Sequence, residues 1–512
     1  MKSFFTAVFC FLTVLSLTAQ SYYNVSVKES RYRFSGESLE MPDEPNIGML
    51  GIGYDIFGLV KKVPRLYFTI NSYSAVTGDR SGIFSFGSGI GYKQPLFDKF
   101  LSLDYGFFIG GGGGGGAPDG GGLITRFHFD VEKPISDLIA LRLGVSRFDF
   151  PTGDIGSTNL TAGLVFNTLF YRAKPIDEPL EYSSHNNANR KIRVGFVYTM
   201  YNTFQKGPVS PGHSTYVQGS KIGLAGIQFD QFFTPNFYVS VEGNGAFKGG
   251  VDGYASYLLG VGWQQYLLGN LFADARVLGG PSGGGGIDIG GGASFQTEIG
   301  VGLTLFKEYE AKILAGKMFA PGGDFETQYF DFVVSKIIHL YRPNKDDKGR
   351  DNNYELEGYK TDRYSFSVFN RTYIPPRIRD KNGLLYDSHF NLIGLGVEKV
   401  ISNWFSLRGS TVWAYQGSYG AYGEAWGGVK LNQLLFNKWY ANAKLMAGVG
   451  GGGGIDVGSG LLFHYSAGVE NRFSDDWSLV FDVGKLKPYK GNFTPWVINL
   501  GVKLNISQLI KS

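Results

Sequence analysis

Cysteine is almost missing from this chain: of 512 residues only Cys10 is one. It lies in an apolar stretch of 14 positions, Phe4 to Leu17, interrupted only by Thr6, Thr13 and Ser16 and preceded by Lys2. With Thr18-Ala19-Gln20 as a small-residue cleavage site, residues 1–20 read as a secretory signal peptide. The residues before Cys10, Ala7-Val8-Phe9, are not the small pair that precedes a lipid-modified cysteine. The mature chain is therefore expected to lack both disulfides and thiolate metal ligands. Long apolar runs are lacking too. Past residue 20 nothing approaches the roughly 18 residues of a membrane helix, and the leader itself is too short and has no stop-transfer flank. Charge is scarce at 18%, below the usual quarter. The net +4, or +3 once Lys2 is removed from the 48 basic residues, is far too weak for a nucleic-acid footprint.

Glycine and aromatic residues are abundant, with 76 Gly and 16% Phe, Trp and Tyr. Many aromatics, many glycines and few charges suit strands with one face against lipid, although a soluble secreted all-β protein has a similar composition. Internal repetition decides the organisation. Gly113 to Gly116, Gly283 to Gly286 and Gly451 to Gly454 start 170 and 168 residues apart, and each precedes a short spacer and a second Gly cluster. The match extends beyond glycine. Val131-Glu132 and Val469-Glu470 share an offset from these runs, followed by Ser136-Asp137 and Ser474-Asp475. The segment from Gln94 to Phe100 resembles that from Gln433 to Trp439, with Gln265 to Leu271 between them. Gly51, Gly226 and Gly394 each have an acidic residue four positions on: Asp55, Asp230 and Glu398. Tyr171-Arg172 and Tyr341-Arg342 end the first two copies.

Within each copy the apolar period is two, the signature of half-buried strands. Trp496, Ile498, Leu500, Val502, Leu504 and Ile506 alternate with Val497, Asn499, Gly501, Lys503 and Asn505. Leu461, Phe463, Tyr465, Ala467 and Val469 face away from Leu462, His464, Ser466, Gly468 and Glu470. Leu123, Thr125, Phe127, Phe129 and Val131 likewise oppose Arg126, His128, Asp130 and Glu132. In copy two Phe295, Thr297, Ile299, Val301 and Leu303 oppose Gln296, Glu298 and Thr304. Each copy reads as about eight strands. In copy three, tight turns at Ser402-Asn403, Phe436 to Lys438 and Ser474 to Asp476 alternate with longer connections: Ile374 to Asp387, Gln416 to Gly423, the Gly-rich segment and Lys485 to Thr494. Trp404, Trp439 and Trp477 directly follow the short turns, where an indole can lie across an apolar–aqueous boundary.

These patterns resemble the bacterial outer-membrane β-barrel class, especially its small eight-stranded members. The resemblance covers nearly the whole mature chain as pattern, not as signature residues. It implies an all-β, antiparallel, up-and-down transmembrane barrel fold in the outer membrane of a Gram-negative bacterium, with membrane lipid as surroundings and long loops outside. The expected organisation is a signal peptide (1–20), barrel repeats at 21–172, 191–342 and 362–512, and polar linkers at 173–190 and 343–361. Three tandem barrels are expected in preference to one barrel of about 24 strands. Inward positions mix glycines (Gly51, Gly53, Gly226, Gly394, Gly396, Gly468) with large charged residues, which suits a narrow interior that side chains fill.

Few residues point to chemistry. Poly-Gly satisfies dinucleotide-loop spacing trivially, and no Gly-Lys-Ser/Thr follows, so phosphate cradling is unsupported. Gly283 to Gly290 with Asp288 resembles one turn of a calcium-binding β-roll, a motif that needs tandem turns and occurs here once per copy. Glycine more simply allows strand ends to approach closely or bend. Inward charges recur: Asp55, Asp230 and Glu398 on the second strand; Asp104, Asp274 and Asn442 on the fifth; Glu132, Glu470 and Arg472 on the sixth. Paired carboxylates can serve as acid and base, but in narrow barrels such charges commonly satisfy one another. His464 and Ser466 share a strand face, as an activated hydroxyl would require. His464-Tyr465-Ser466 looks like part of the His-x-Ser-Asn motif of outer-membrane lipid A deacylases. Ala467 replaces the Asn, however, and the parity turns both residues inward. The expectation is a non-enzymatic barrel without metal or cofactor, with a structural or surface-binding role and a loop ligand as a possible partner. A wide solute pore is the alternative and a deacylase-like enzyme the second.

Overall fold

A computed structural model describes residues 22–97, 100–177, 181, 189–202 and 221–511. The expected signal peptide, Cys10 and part of the first linker lie outside these residues. The regular structure is almost wholly extended, and among the described residues no helix is long and apolar enough to cross a membrane. The first ring comprises β1 (Tyr22–Met41), β2 (Glu44–Phe57), β3 (Leu66–Thr77), β4 (Phe84–Leu96), β5 (Leu101–Gly113), β6 (Leu123–Pro134), β7 (Ile139–Asp149) and β8 (Gly156–Pro175). The second comprises β9 (Asn189–Asn202), β10 (Lys221–Phe232), β11 (Phe237–Lys248), β12 (Ala255–Leu268), β13 (Leu271–Gly283), β14 (Ala293–Leu305), β15 (Tyr309–Phe319) and β16 (Glu326–Tyr341). After the short strand β17 (Asp351–Glu355) come β18 (Tyr359–Ile374), β19 (Phe390–Val400), β20 (Phe405–Gln416), β21 (Gly423–Phe436), β22 (Trp439–Gly451), β23 (Leu461–Asn471), β24 (Trp477–Pro488) and β25 (Trp496–Lys511).

Every pairing is antiparallel, consecutive strands of each ring pair in order, and the chain closes on itself three times. β1 pairs along most of its length with β8, β9 with β16, and β25 with both β18 and β24. The second and third rings share a single ladder pair, Leu340 with Ile510. A single ring of 24 strands would instead pair β8 with β9, and no such ladder exists among the described residues.

The outer and inner faces follow the period-two pattern. Phe127, Phe129, Ile299, Val301, Leu500 and Val502 are exposed on the outside, while Arg126, Asp130, Glu132, Gln296, Glu298 and Asn499 are buried within. The parity gives way where strands near the linker end meet neighbouring rings: Ile506 is buried, and so are the adjacent pairs Phe170–Tyr171, Ile192–Arg193 and Ile337–Ile338. Strands run to 11–20 residues in the rings, more than a membrane crossing alone requires. In the third ring, short turns at 401–404, 437–438 and 472–476 lie at one end and the long connections at the other. Trp404 is exposed in its turn, and Trp439 and Trp477 open the strands that follow theirs.

Two features go beyond what the sequence pattern declared. Loop alternation breaks in the first ring: β1 and β2 meet at the long-loop end through the two-residue turn Pro42-Asp43, with Asp43 at φ 57°, while the connection at 58–65 is longer than its counterparts. The segment 343–361 is also more than a polar linker. A 3-10 turn at Lys345–Asp347 precedes β17, which pairs with β1 from Tyr22 to Ser26. Here β1 extends past the end of β2, and an unpaired edge would otherwise result. Around it Tyr23, Val25, Tyr171, Tyr341, Tyr354, Tyr359 and Leu509 bury one another, and Tyr171 donates a hydrogen bond to the Leu509 carbonyl at 3.1 Å. This small core ties the three rings together at the linker end.

Candidate functional site

The sites a barrel offers are its interior, its seams and its loop face. The first-ring interior is built around Arg31, which points inward because Tyr32 and Phe34 take the outward positions. Its guanidinium pairs with Asp55 at 2.7 Å, with Glu132 at 2.8 Å and with Asp104. Arg33 shares Asp55, Lys93 shares Glu132, and Tyr67 donates to Asp104 at 2.7 Å. The second ring repeats the arrangement. Arg193 pairs with Asp230 and Glu310 at 2.6 Å and with Asp274 at 3.4 Å, and Tyr238 donates to Asp274. In the third ring Ser365 faces Glu398 where arginine stands in the others. The cations come from other strands instead: Arg408, Lys430 and Lys503 surround Glu398, and Lys430 and Lys503 reach Glu470 at 2.6 Å. The structure thus gathers most of the predicted inward residues into buried ion networks. Sequence reasoning missed the hubs Arg31 and Arg193, though the parity of β1 and β9 would have turned them inward.

Above each network, toward the loops, the interior becomes apolar. In the third ring Tyr373, Tyr386, Phe390, Tyr422, Trp426 and Phe493 pack together, with Ile455 and Val457 folded in from the Gly-rich loop. Ile287 and Ile289 do the same in the second ring, and Ala117 packs on the plug of the first. The inward glycines belong to this filling: a Cβ added at Gly51, Gly226, Gly394 or Gly468 would meet a neighbouring atom within 3.0 Å. One interior cavity, of about 20 Å³, lies in the third ring among Arg371, Arg408, Lys444, His464 and Asp482, room for about one water.

His464 borders this space, and it does not pair with Ser466 on the same strand. Both are buried, and among the described residues neither ring nitrogen of His464 nor Oγ of Ser466 has a hydrogen-bond partner. The imidazole packs near Trp426 at 5.7 Å. A hydroxyl activated by a base needs the contact that is missing here. For metals, Asp104, His128 and Asp130 bring ligand atoms within 4.8 Å of one another. Arg31 already holds Asp104 and Arg142 holds Asp130, so a cation would be placed beside two guanidiniums. The donor set does not fit a metal.

The Gly runs lie at the seams. A Cβ at Gly283 would come within 3.0 Å of the Gly82 backbone of the first ring; at Gly451, of Gly253 in the second; at Gly113, of Ala421 in the third. A second set repeats the cycle: Gly292 against Ala75, Gly460 against Ala246, Gly122 against Ala414. Each ring therefore presents its third strand and following loop to the fifth and sixth strands of the next. The contacts return from the third ring to the first, a cyclic, head-to-tail arrangement of the kind that closes a trimer. The Ala421 N–H donates to the Gly112 carbonyl at 3.3 Å across one seam. Phe84 stacks on Tyr257 at 4.0 Å and tilts against Trp413 at 4.7 Å, so residues of all three rings meet there. The expected close approach holds, but the backbones involved belong to neighbouring barrels.

No protein-family model matches the chain, and no curated protein does. Solved structures with similar architecture include the siderophore receptor PirA from Acinetobacter baumannii (10% identity over 96% of this chain and 81% of that one, TM-score 0.26). OpdQ of Pseudomonas aeruginosa is another (8% identity, 95% and 98%, TM-score 0.20). A third is the ferric enterobactin receptor PfeA of Pseudomonas aeruginosa in complex with BCV-L6 (8%, 96% and 82%, TM-score 0.27). The ladders of the chain itself make the architecture one of closed antiparallel β-barrels, the general form of outer-membrane barrels. The apolar outer belt, the aromatic residues at the short turns and the closed antiparallel ladders each fit that class.

Proposed function

We propose that the protein is an integral component of the outer membrane of a Gram-negative bacterium, exported through a cleaved leader. In this reading three copies of one eight-stranded unit, at 21–172, 191–342 and 362–512, act as one structural or surface-binding platform. The observation that carries the reading is that every interior is occupied, by a buried ion network below and an apolar plug above. Solute passage would require these plugs to leave. The Gly seams hold the loop faces side by side, so a ligand approaching from outside would meet one continuous surface.

Refolded full-length protein in planar lipid bilayers provides the test. The platform reading expects no steady conductance steps and no sugar-driven swelling of loaded liposomes. Stable porin-sized steps would replace it with a transport role. The Ser466→Ala variant separates the enzymatic reading: the host's lipid A acylation pattern is expected to be unchanged.

A further inference from the structure

The threefold relation exposes one position where the third ring departs from the other two. Arg147, Lys317 and Lys485 are equivalent, spaced by the same 170 and 168 residues as the Gly runs. All three face outward near the loop end of the seventh strand of their ring. Arg147 is paired with Asp149 at 2.7 Å and Lys317 with Glu326. Lys485 has no carboxylate partner among the described residues. The position that holds Asp149 in the first ring is Lys487 here, and Lys490 follows in the adjoining loop. Neither of these lysines is ion-paired among the described residues. Lys485 is half-buried, Lys487 and Lys490 are exposed, and the first lies 5.4 Å from the Trp496 ring.

Their surroundings define the depth. Below them on β24 the outward residues are Leu479, Phe481 and Val483, all exposed and apolar. Directly across the ladder from Lys485 stand Tyr465 and Trp496, and across from Lys487 stands Phe463, each ring also exposed. Three uncompensated cations thus cap an aromatic girdle at the loop-end edge of the apolar belt. We propose that Lys485, Lys487 and Lys490 bind the phosphate groups of an outer-leaflet phosphorylated glycolipid, whose acyl chains lie along the apolar outer face of β23 to β25. Lysine serves phosphate as a mobile point charge, and the aromatic rim holds the boundary between head group and chain. Commitment to a lipid rather than a free anion rests on the continuity of the cations with that apolar face. The proposal rests on the outward orientation of the long loops given under Proposed function.

Full-length protein in detergent is titrated with diphosphoryl lipid A, its dephosphorylated form and inorganic phosphate, and bound lipid is read by native mass spectrometry. Each basic side chain near a charged membrane surface contributes about fivefold in affinity, so the K485Q/K487Q/K490Q variant should bind diphosphoryl lipid about a hundredfold more weakly. The K485R/K487R/K490R variant should retain binding. R147Q/K317Q, which removes only paired cations, should bind as the unaltered protein does. Equal binding by the glutamine variant, or of the dephosphorylated lipid, overturns the proposal. So does saturation by inorganic phosphate with the affinity of the lipid, which would make the cluster a plain anion site. Heat-modifiable migration and membrane fractionation are recorded for every variant. A variant that stays folded and membrane-bound yet binds normally sinks the lipid site alone, whereas a protein extracted without detergent sinks the membrane reading beneath it.

Discussion

Replacing Gly283 with alanine tests the seams most cleanly. Gly283 has no positive φ, so the substitution adds a methyl group without backbone strain. That methyl would lie no more than 3.0 Å from three backbone atoms of the first ring, Gly82 N, Gly82 Cα and Ser81 C. Ser81 and Gly82 belong to the short turn between β3 and β4, and its backbone cannot swing aside as the end of a side chain can, so the two rings must part locally. Over-packing of this kind costs about 1–3 kcal/mol, offset by the roughly 0.4–1 kcal/mol that alanine recovers from the unfolded chain. Gly451→Ala probes the equivalent seam against Gly253, and Gly111→Ala the third, where the methyl would meet the Trp413 carbonyl. Gly427 supplies the control, since nothing lies within 4 Å of a Cβ added there. Urea unfolding of protein reconstituted in lipid, followed by heat-modifiable migration, gives the comparison. The three seam variants should lose stability while Gly427→Ala holds or gains slightly. Identical stability for all four would refute the seam argument.

Arg31→Met should destabilise by about 3–5 kcal/mol, the cost of leaving buried charges without their partner: Arg33 and Lys93 would still reach Asp55 and Glu132, but Asp104 would keep only neutral or distant neighbours. Equilibrium unfolding checks it, and a loss under 1 kcal/mol would mean the interior is wetter than described. Leu500→Arg on the outer face should cost about 2–4 kcal/mol, and Ile374→Arg at the loop-end boundary about 0–1 kcal/mol; equal penalties would misplace the membrane. Asp119 sits in the loop between β5 and β6 beside Gly420 of the third ring, and burial pushes its carboxyl up to about 6 against the opposing Gly114 N–H. The folded state therefore holds the proton more tightly than the unfolded one. This contribution is fully present below pH 4 and is lost, about 3 kcal/mol in all, as pH rises through 6. Melting of Asp119→Asn across that window should lose this component, and an unchanged pH slope would contradict it.

The features legible in the sequence were those carried by local period. Phe127 to Glu132, Phe295 to Thr304 and Trp496 to Leu504 declare their faces because an apolar outer surface and a crowded polar interior demand opposite chemistry at alternate residues. The narrow interior was legible too, since Gly51 and Gly394 beside Asp55 and Glu398 make sense only where side chains compete for space. What the sequence left open depended on partners far along the chain. Ring number is one such property: strand length is the same for 8 or 24 strands, and only the pairing of β1 with β8 distinguishes them. The Gly runs read as local bends because the Gly82 and Gly253 backbones they accommodate belong to other rings. The lone edge of β1 that β17 completes is equally non-local, as it arises only where β2 stops short. Ser365 in place of the hub arginine shows why charge patterns blur between copies: Lys430 and Lys503 restore the balance from different strands.

Closure of each ring is the central claim, and engineered disulfides test it directly. Cys10, the only native cysteine, lies outside the described residues, so introduced pairs report without competition from the strands. Opposed residues on antiparallel strands have Cα atoms about 4.5–5.5 Å apart, within the span of a disulfide. Cysteine pairs at Phe34 and Leu164, at Phe196 and Val334, and at Val368 and Val502 fall on the three closing ladders. All three should oxidise in the membrane and shift migration on non-reducing gels. Failure of all three, together with crosslinking between Leu164 and Phe196 across β8 and β9, would show one wide ring in place of three closed ones.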